Sequence, residues 1–331
     1  MSIKPLVRRD LYKEGYEALQ FDLAQGLITP AQFETEVKNL PTGEDRFAWY
    51  IDPSKQFVTP GYFIPNNSQA LPLTPYIVNL AANGTSGWIP IEFDEGSGSP
   101  EIFAIVSTQT GDFLITILDG GDRYQWMNRP IHNLTISGNG QRPYYLPLTY
   151  PVDTRGGTRS ISVQFTDISG APNAIRFALR GRRFLQKQAN ADIQELWMRR
   201  AEHMDRSRPF FLTPDENLLA VAPGASVDFT LRAPSDAPLD LLKLTAATVP
   251  AATPFELSLR EFGSGREYSQ ANLRIHSDHM FGTGQYPGIE FESFFMPKNF
   301  RILGTLWNLG VNPTDFYLTW AGGKIMRPDK K

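Results

Sequence analysis

The sequence predicts a mainly β protein: two tandem, internally repeated antiparallel β-sandwich domains of jelly-roll-like type, with an N-terminal helical arm and a linker helix. Three observations predict it. Short runs rich in β-formers fill two long stretches of chain, Gly/Asn/Asp/Pro turns separate the runs, and the two stretches share one order of apolar residues and turns.

Residues 1–45 read as the arm. Tyr12, Tyr16, Leu19 and Leu23 line one face of a helix over 8–26, and Gly26 suits the left-handed position that ends it. In "TPAQF", Thr29 is the N-cap, Pro30 the first helical residue and Gln32 the closing member of a capping box, so a second helix runs from 30 to about 39. Two short helices cannot build a core, so the arm must dock elsewhere on this chain or on another. Residues 46–74, broken by proline and asparagine, read as an irregular lead-in pinned by aromatics.

Residues 75–185 form the first β region: "YIVNL", "WIPIEF", "EIFAIVS", "DFLITIL", "IHNLTIS", "YYLPLTY", "SISVQFT" and "AIRFALR". Over 186–211, Ile193, Leu196, Trp197, Ala201 and Met204 keep helical spacing until Pro209, the linker helix. The second β region, 212–326, holds "LLAVA", "VDFTLR", "LLKLTAA", "FELSLRE", "NLRIHS", "IEFESFF", "RILGTLW" and "DFYLTWA", and 327–331 is a tail.

The runs match in order. Ile102 and Ile105 face Leu241 and Leu244, and Phe113-x-Ile115-x-Ile117 faces Phe255-x-Leu257-x-Leu259. At one constant offset, Gly121-x-x-Tyr124 and Ile131-His132 face Gly265-x-x-Tyr268 and Ile275-His276. Pro151 faces Pro297, Asp167 faces Asn308, and Phe177-x-Leu179-x-Gly181 faces Leu318-x-Trp320-x-Gly322. One hydrophobic plan used twice explains this: alternate residues fill the space between two sheets and the others face out. Residues shared by both copies, Tyr124/Tyr268 and His132/His276, are then scaffold rather than one active centre.

The totals narrow the function. With 331 residues, 41% hydrophobic and 20% charged, the chain is globular and too long for one core. A net charge of −3 does not favour free nucleic acid as partner. There is no cysteine, hence no disulfide frame and no thiolate chemistry. No secretory signal is read at the start, and no run approaches the roughly 18 apolar residues of a membrane span. The sequons at Asn66, Asn83 and Asn133 are read as coincidental. Arg176, Arg180, Arg182 and Arg183 open a basic stretch reaching to Arg208, read as a solvated linker face with a protein partner as the second reading.

No catalytic, cofactor or metal site is predicted. His276-x-x-His279 with Asp278 is the one histidine cluster, but strand residues three apart point to opposite faces and no further ligands are in view. His132 and His203 stand alone. Asp119 and Asp122 read as a charged hairpin, as do Glu261 and Glu267. "GTGQYPG", 282–288, lacks dinucleotide-binding spacing and leads into a strand. The 22 Phe, 12 Tyr and 6 Trp include many outside the obvious strands, in "FAWYIDP", "GYFIP", "RPYYLPLTY" and "SFFMP", and such residues anchor interfaces.

In this style, Gly-x-x-Tyr, strand, Gly/Pro loop, strand, then a last strand ending "LRGRRFL" or "WAGGKI", the two β regions resemble those of bacteriophage virion structural proteins, and invite comparison with double-jelly-roll capsid proteins. The resemblance implies a non-enzymatic component of a phage particle, in the capsid, at a vertex or tail-associated. Such a protein is made in the host cytoplasm and located in the virion. It assembles with itself and other virion proteins through the arm and aromatic loops. The alternative is a carbohydrate- or receptor-binding β-sandwich protein of a phage tail or cell surface.

Overall fold

The computed structural model describes residues 6–24, 28–40, 47–51, 58–66, 77–93, 99–120, 124–152, 159–184, 207–269 and 273–326. At the N-terminus come β1 (Leu6–Asp10), α1 (Leu11–Ala24), α2 (Pro30–Lys38) and β2 (Phe47–Ile51), with β1 and β2 paired antiparallel. Residues 8–10, predicted helical, belong to β1, where pairing with β2 claims their backbone. Gly26 lies outside the described residues. The capping box is present: Gln32 N–H donates to Thr29 Oγ1 at 3.3 Å, and Thr29 N–H to Gln32 Oε1 at 2.9 Å. Tyr16 meets Phe33 edge-on at 5.7 Å, yet no residue of α2 is buried.

The first sandwich contains β3 (Val58–Phe63), β4 (Ile77–Leu80), β5 (Ile89–Phe93), β6 (Ser99–Gln109), β7 (Phe113–Asp119), β8 (Tyr124–Gln125), β9 (Ile131–His132), α3 (Asn133–Ile136), β10 (Tyr144–Pro151), β11 (Arg159–Asp167) and β12 (Asn173–Phe184). The second contains β13 (Ser207–Leu212), β14 (Leu218–Val221), β15 (Ser226–Arg232), β16 (Leu239–Val249), β17 (Phe255–Glu261), β18 (Ile275–His276), α4 (Ser277–Met280), β19 (Gly288–Met296), β20 (Arg301–Asn308) and β21 (Thr314–Ile325).

Their topologies are the same. In the first, one sheet runs β10-β6-β12-β3 with β4 also on β12, and the other runs β5-β11-β7-β8 with β9 also on β7. In the second, one sheet runs β19-β16-β21-β13 with β14 also on β21, and the other runs β15-β20-β17-β18. All named strand pairs are antiparallel. Aromatic rings bridge the layers: Phe63–Phe93 at 5.0 Å and Phe165–Phe177 at 5.5 Å in the first, Phe255–Phe316 at 5.3 Å and Phe229–Trp320 at 6.3 Å in the second. Burying each such ring stabilises by about 1.5–3 kcal/mol.

The structure corrects several boundaries. Residues 46–74 are not an irregular lead-in throughout, because they hold β2 and β3. Likewise residues 207–211, read as the end of the linker helix, lie in strand β13 (Ser207–Leu212); the rest of that helix, the tail, His203 and Asp122 lie outside the described residues. Proline misled both readings. Pro60 and Pro209 sit in β3 and β13, each at a sheet edge, where a residue lacking N–H is tolerated. "TPGYFIP" and "RPFFLTP" are therefore one more repeated strand: Gly61 lies opposite Gly181 and Phe210 opposite Gly322. "IHNLTIS" is a two-residue strand followed by a helical turn. Of the four aromatic stretches singled out, "YYLPLTY" and "SFFM" lie in β10 and β19, where β runs were read, and "GYF" of "GYFIP" lies in β3, with Phe63, Tyr144 and Tyr150 in the core. The fourth, "FAWYI", is β2.

The ladder also shifts the match around Tyr124. Trp126 N–H donates to Ile117 O at 3.1 Å, and Tyr268 N–H to Leu259 O at 3.0 Å; Gln125 lies opposite Leu118 as Glu267 lies opposite Arg260. Tyr268 therefore corresponds to Trp126, not Tyr124. Trp126 packs edge-on to Tyr150 at 4.9 Å, and Tyr268 edge-on to Phe294 at 5.0 Å. The hydroxyl has changed rings between copies: Tyr150 donates to Asp119, Tyr268 to Glu261 at 3.4 Å. Similarly Pro151 lies opposite Glu101 and Phe295 opposite Asp240, so Pro151 corresponds to Phe295 rather than Pro297.

Candidate functional site: the seam between the sandwiches

A set of polar side chains joins the first sandwich to the second. The segment after β8 runs beside the edge of β13, with Met127 bridged to Phe211, and Phe211 N–H donates to Trp126 O at 2.8 Å. Asn128 copies a strand's hydrogen bonding with its amide. Its Nδ2 donates to Thr213 O at 2.8 Å and its Oδ1 accepts from Thr213 N–H at 2.9 Å. Arg129 donates to the carbonyls of Pro214 and Asp215 and to Asn217 Oδ1. Tyr124, buried, donates to Pro209 O at 3.0 Å, with Arg208 and Lys324 over its ring. Thr135 of α3 meets Thr319 of β21, Oγ1 to Oγ1 at 3.0 Å, both buried. Lys243 Nζ donates to Tyr145 O at 2.6 Å, and burial lowers its pKa to about 8.

His132 is part of this seam. Its Nδ1 accepts from Leu134 N–H at 3.2 Å, capping α3, so the neutral ring carries its proton on Nε2. His276 caps α4 in the same way, from Asp278 N–H at 3.3 Å. Tyr317 of β21 lies 4.2 Å from the His132 ring centre. Asp112 Oδ2 is 3.9 Å from Nε2, too far for a hydrogen bond. Burial pushes the His132 pKa down to about 4, so the two are not an ion pair at neutral pH. A cleft of about 350 Å³ opens alongside, lined in part by Arg129, His132, Glu216 and Tyr317.

His132 stays neutral when folded down to about pH 4, but takes a proton near pH 6.5 when unfolded. Its contribution is therefore complete above about pH 6.5 and is lost as pH falls toward 4, about 3 kcal/mol in all. Urea unfolding at about pH 7 and about pH 4.5 should show a smaller acid loss in His132→Asn than in the wild type. Equal losses would contradict the assignment.

The other sequence candidates have structural places. His276 and His279 stand 6.0 Å apart, ring to ring, and among the described residues no group of three His, Asp or Glu side chains could hold a metal. Asp119 accepts from Tyr150, and Glu261 from Ser264 Oγ at 2.7 Å. Asn133 is buried with Oδ1 accepting from Phe113 N–H. Residues 282–288 form a tight loop whose twin is 138–144: a Cβ on Gly282 would fall 1.8 Å from Tyr286 O, and one on Gly138 1.9 Å from Arg142 O. Sequence reasoning missed Asn128, Arg129 and Thr135. "WMNRP" has no counterpart pattern in the second copy, and nothing local marks a threonine that meets another copy.

No family model matches the chain, and no curated protein does. Among solved structures it overlaps loosely with a protein described under the triple jelly roll fold and turret assembly of an archaeal virus: 14% identity, 76% of this chain, 59% of that one, TM-score 0.21. It thus spans less than two thirds of that protein. It also overlaps with N-glycanase F (9% identity, 77% and 97% covered, TM-score 0.29) and with a tandem CBM22 domain from Paenibacillus barcinonensis (10% identity, 81% and 91% covered, TM-score 0.16). Overlaps this loose assign neither fold nor function.

Proposed function

We propose that this chain is a non-enzymatic structural component of a bacteriophage particle, capsid, vertex or tail-associated, which joins copies of itself and other virion proteins. One observation carries the reading: the N-terminal arm is built, capped and paired, yet α2 buries none of its residues. A helix this short holds its shape through packing, so the arm is completed by a surface on another subunit. The seam supports the same reading, since Tyr124, Asn128, Arg129 and Thr135 are engaged in joining one sandwich to the next. A glycan-binding role asks for Trp and Tyr gathered on one surface. The exposed Tyr62 and Tyr145 stand in one row of the sheet β10-β6-β12-β3, but Trp88, the one exposed Trp among the described residues, precedes β5 in the other sheet. Deleting residues 1–51 should leave folded sandwiches and sharply reduce the assembled fraction, measured by native mass spectrometry. An unchanged mass distribution would contradict the role given to the arm.

A further inference from the structure

We infer that a second copy of this chain docks head-to-tail, its second sandwich seated on the first sandwich of its neighbour through the contact that joins the two sandwiches within one chain. The inference rests on the assembly role above and names the surfaces.

Within the chain, a ridge formed by the segment after β8, with β9 and α3, covers the outer face of β13, β21 and β16. Among the described residues the repeat presents part of each half again, with side chains left exposed: β18 and α4 of the ridge, and the outer face of β3, β12 and β6. Phe211 under the ridge is 0% exposed, while the corresponding Tyr62 of β3 is 58% exposed. Thr319 is buried, while the corresponding Ala178 is half-buried and Arg176 beside it exposed; Val106 lies opposite Ala178 as Thr245 lies opposite Thr319. On the ridge side Thr135 is 0% exposed, while His279, its counterpart in α4, is exposed. The edge of β13 is occupied by Trp126 and Asn128; beyond β3 at Tyr62 no strand follows among the described residues.

A glycine gives the independent sign. Gly284 must be glycine because of the seam: a Cβ there would fall 2.5 Å from Ser137 O and 2.7 Å from Leu134 O, the α3 carbonyls of the other sandwich. Its counterpart Gly140 has nothing within 4 Å of a Cβ and no positive φ. Among the described residues nothing demands glycine at 140, and the α4 carbonyls of a neighbour would. The charges agree: Arg176 and Arg180 flank Ala178, and Asp278, 83% exposed, precedes His279. Such a contact joins unlike surfaces, so it closes a ring or propagates a chain of subunits.

The chain has no cysteine, so cross-links can be placed freely. Thr135→Cys with Thr319→Cys should close within one chain and serves as control. His279→Cys with Ala178→Cys should give, on mild oxidation, a ladder of chain multiples that requires both cysteines. Gly140→Leu should leave the unfolding transition unchanged while weakening self-association about tenfold or more. Closure of the control without a ladder, or full association by Gly140→Leu, overturns the docking mode. Assembly that persists without the ladder leaves the structural role standing through the arm, whereas a chain that never associates removes both.

Discussion

Replacing Gly322 with alanine is expected to destabilise the protein by about 3 kcal/mol or more, and replacing Gly181 should act in the same sense. A Cβ at 322 would lie 1.9 Å from Asp240 O and 2.5 Å from Leu241 Cα, both main-chain atoms of the paired strand β16. At 181 it would lie 2.3 Å from Glu101 O on β6. Each glycine sits where the ladder register shifts, between Leu241 and Lys243 or between Arg180 and Gly181. Glycine is what such a bulge and close approach require. Equilibrium unfolding in urea checks both variants. Near-native stability in either would mean that the strand can move aside.

Phe165→Ala should cost about 3–5 kcal/mol. Phe165 is 0% exposed and packs at 5.5 Å against both Phe113 in its own sheet and Phe177 in the opposite one, so truncation empties the middle of the first sandwich. The buried residues of both sandwiches form one connected apolar cluster, and β13 continues the hydrogen bonding of the segment after β8. Damage to the first core should therefore lower the unfolding midpoint of the whole protein. Calorimetry checks this, and an early partial transition that leaves the second sandwich at its original midpoint would contradict a shared core.

Much of the fold was legible because a sandwich strand writes its two environments into alternate residues. Phe113, Ile115 and Ile117 are all buried, as are Phe255, Leu257 and Leu259, and both sets lie where the repeat placed them. The capping box at Thr29 was legible for a similar reason, since cap and partner are three residues apart. What sequence could not give was anything set by contact between copies. Pro60 and Pro209 read as breaks because their tolerance depends on lying at a sheet edge. Tyr124 and Tyr268 looked alike in sequence, but a small difference in loop length puts Trp126 at the Tyr268 position. Tyr124 instead serves the seam. His132 and His276 share a capping role that spacing alone does not reveal, and of the two only His132 is buried, because among the described residues only the first ridge is covered within the chain.

The mass of the intact chain in solution across a wide range of concentration, measured by sedimentation velocity, bears most directly on the claim that this is an assembly subunit. Species at whole-number multiples of the chain, shifting upward with concentration, are the predicted result. One monomeric boundary at every concentration would contradict it.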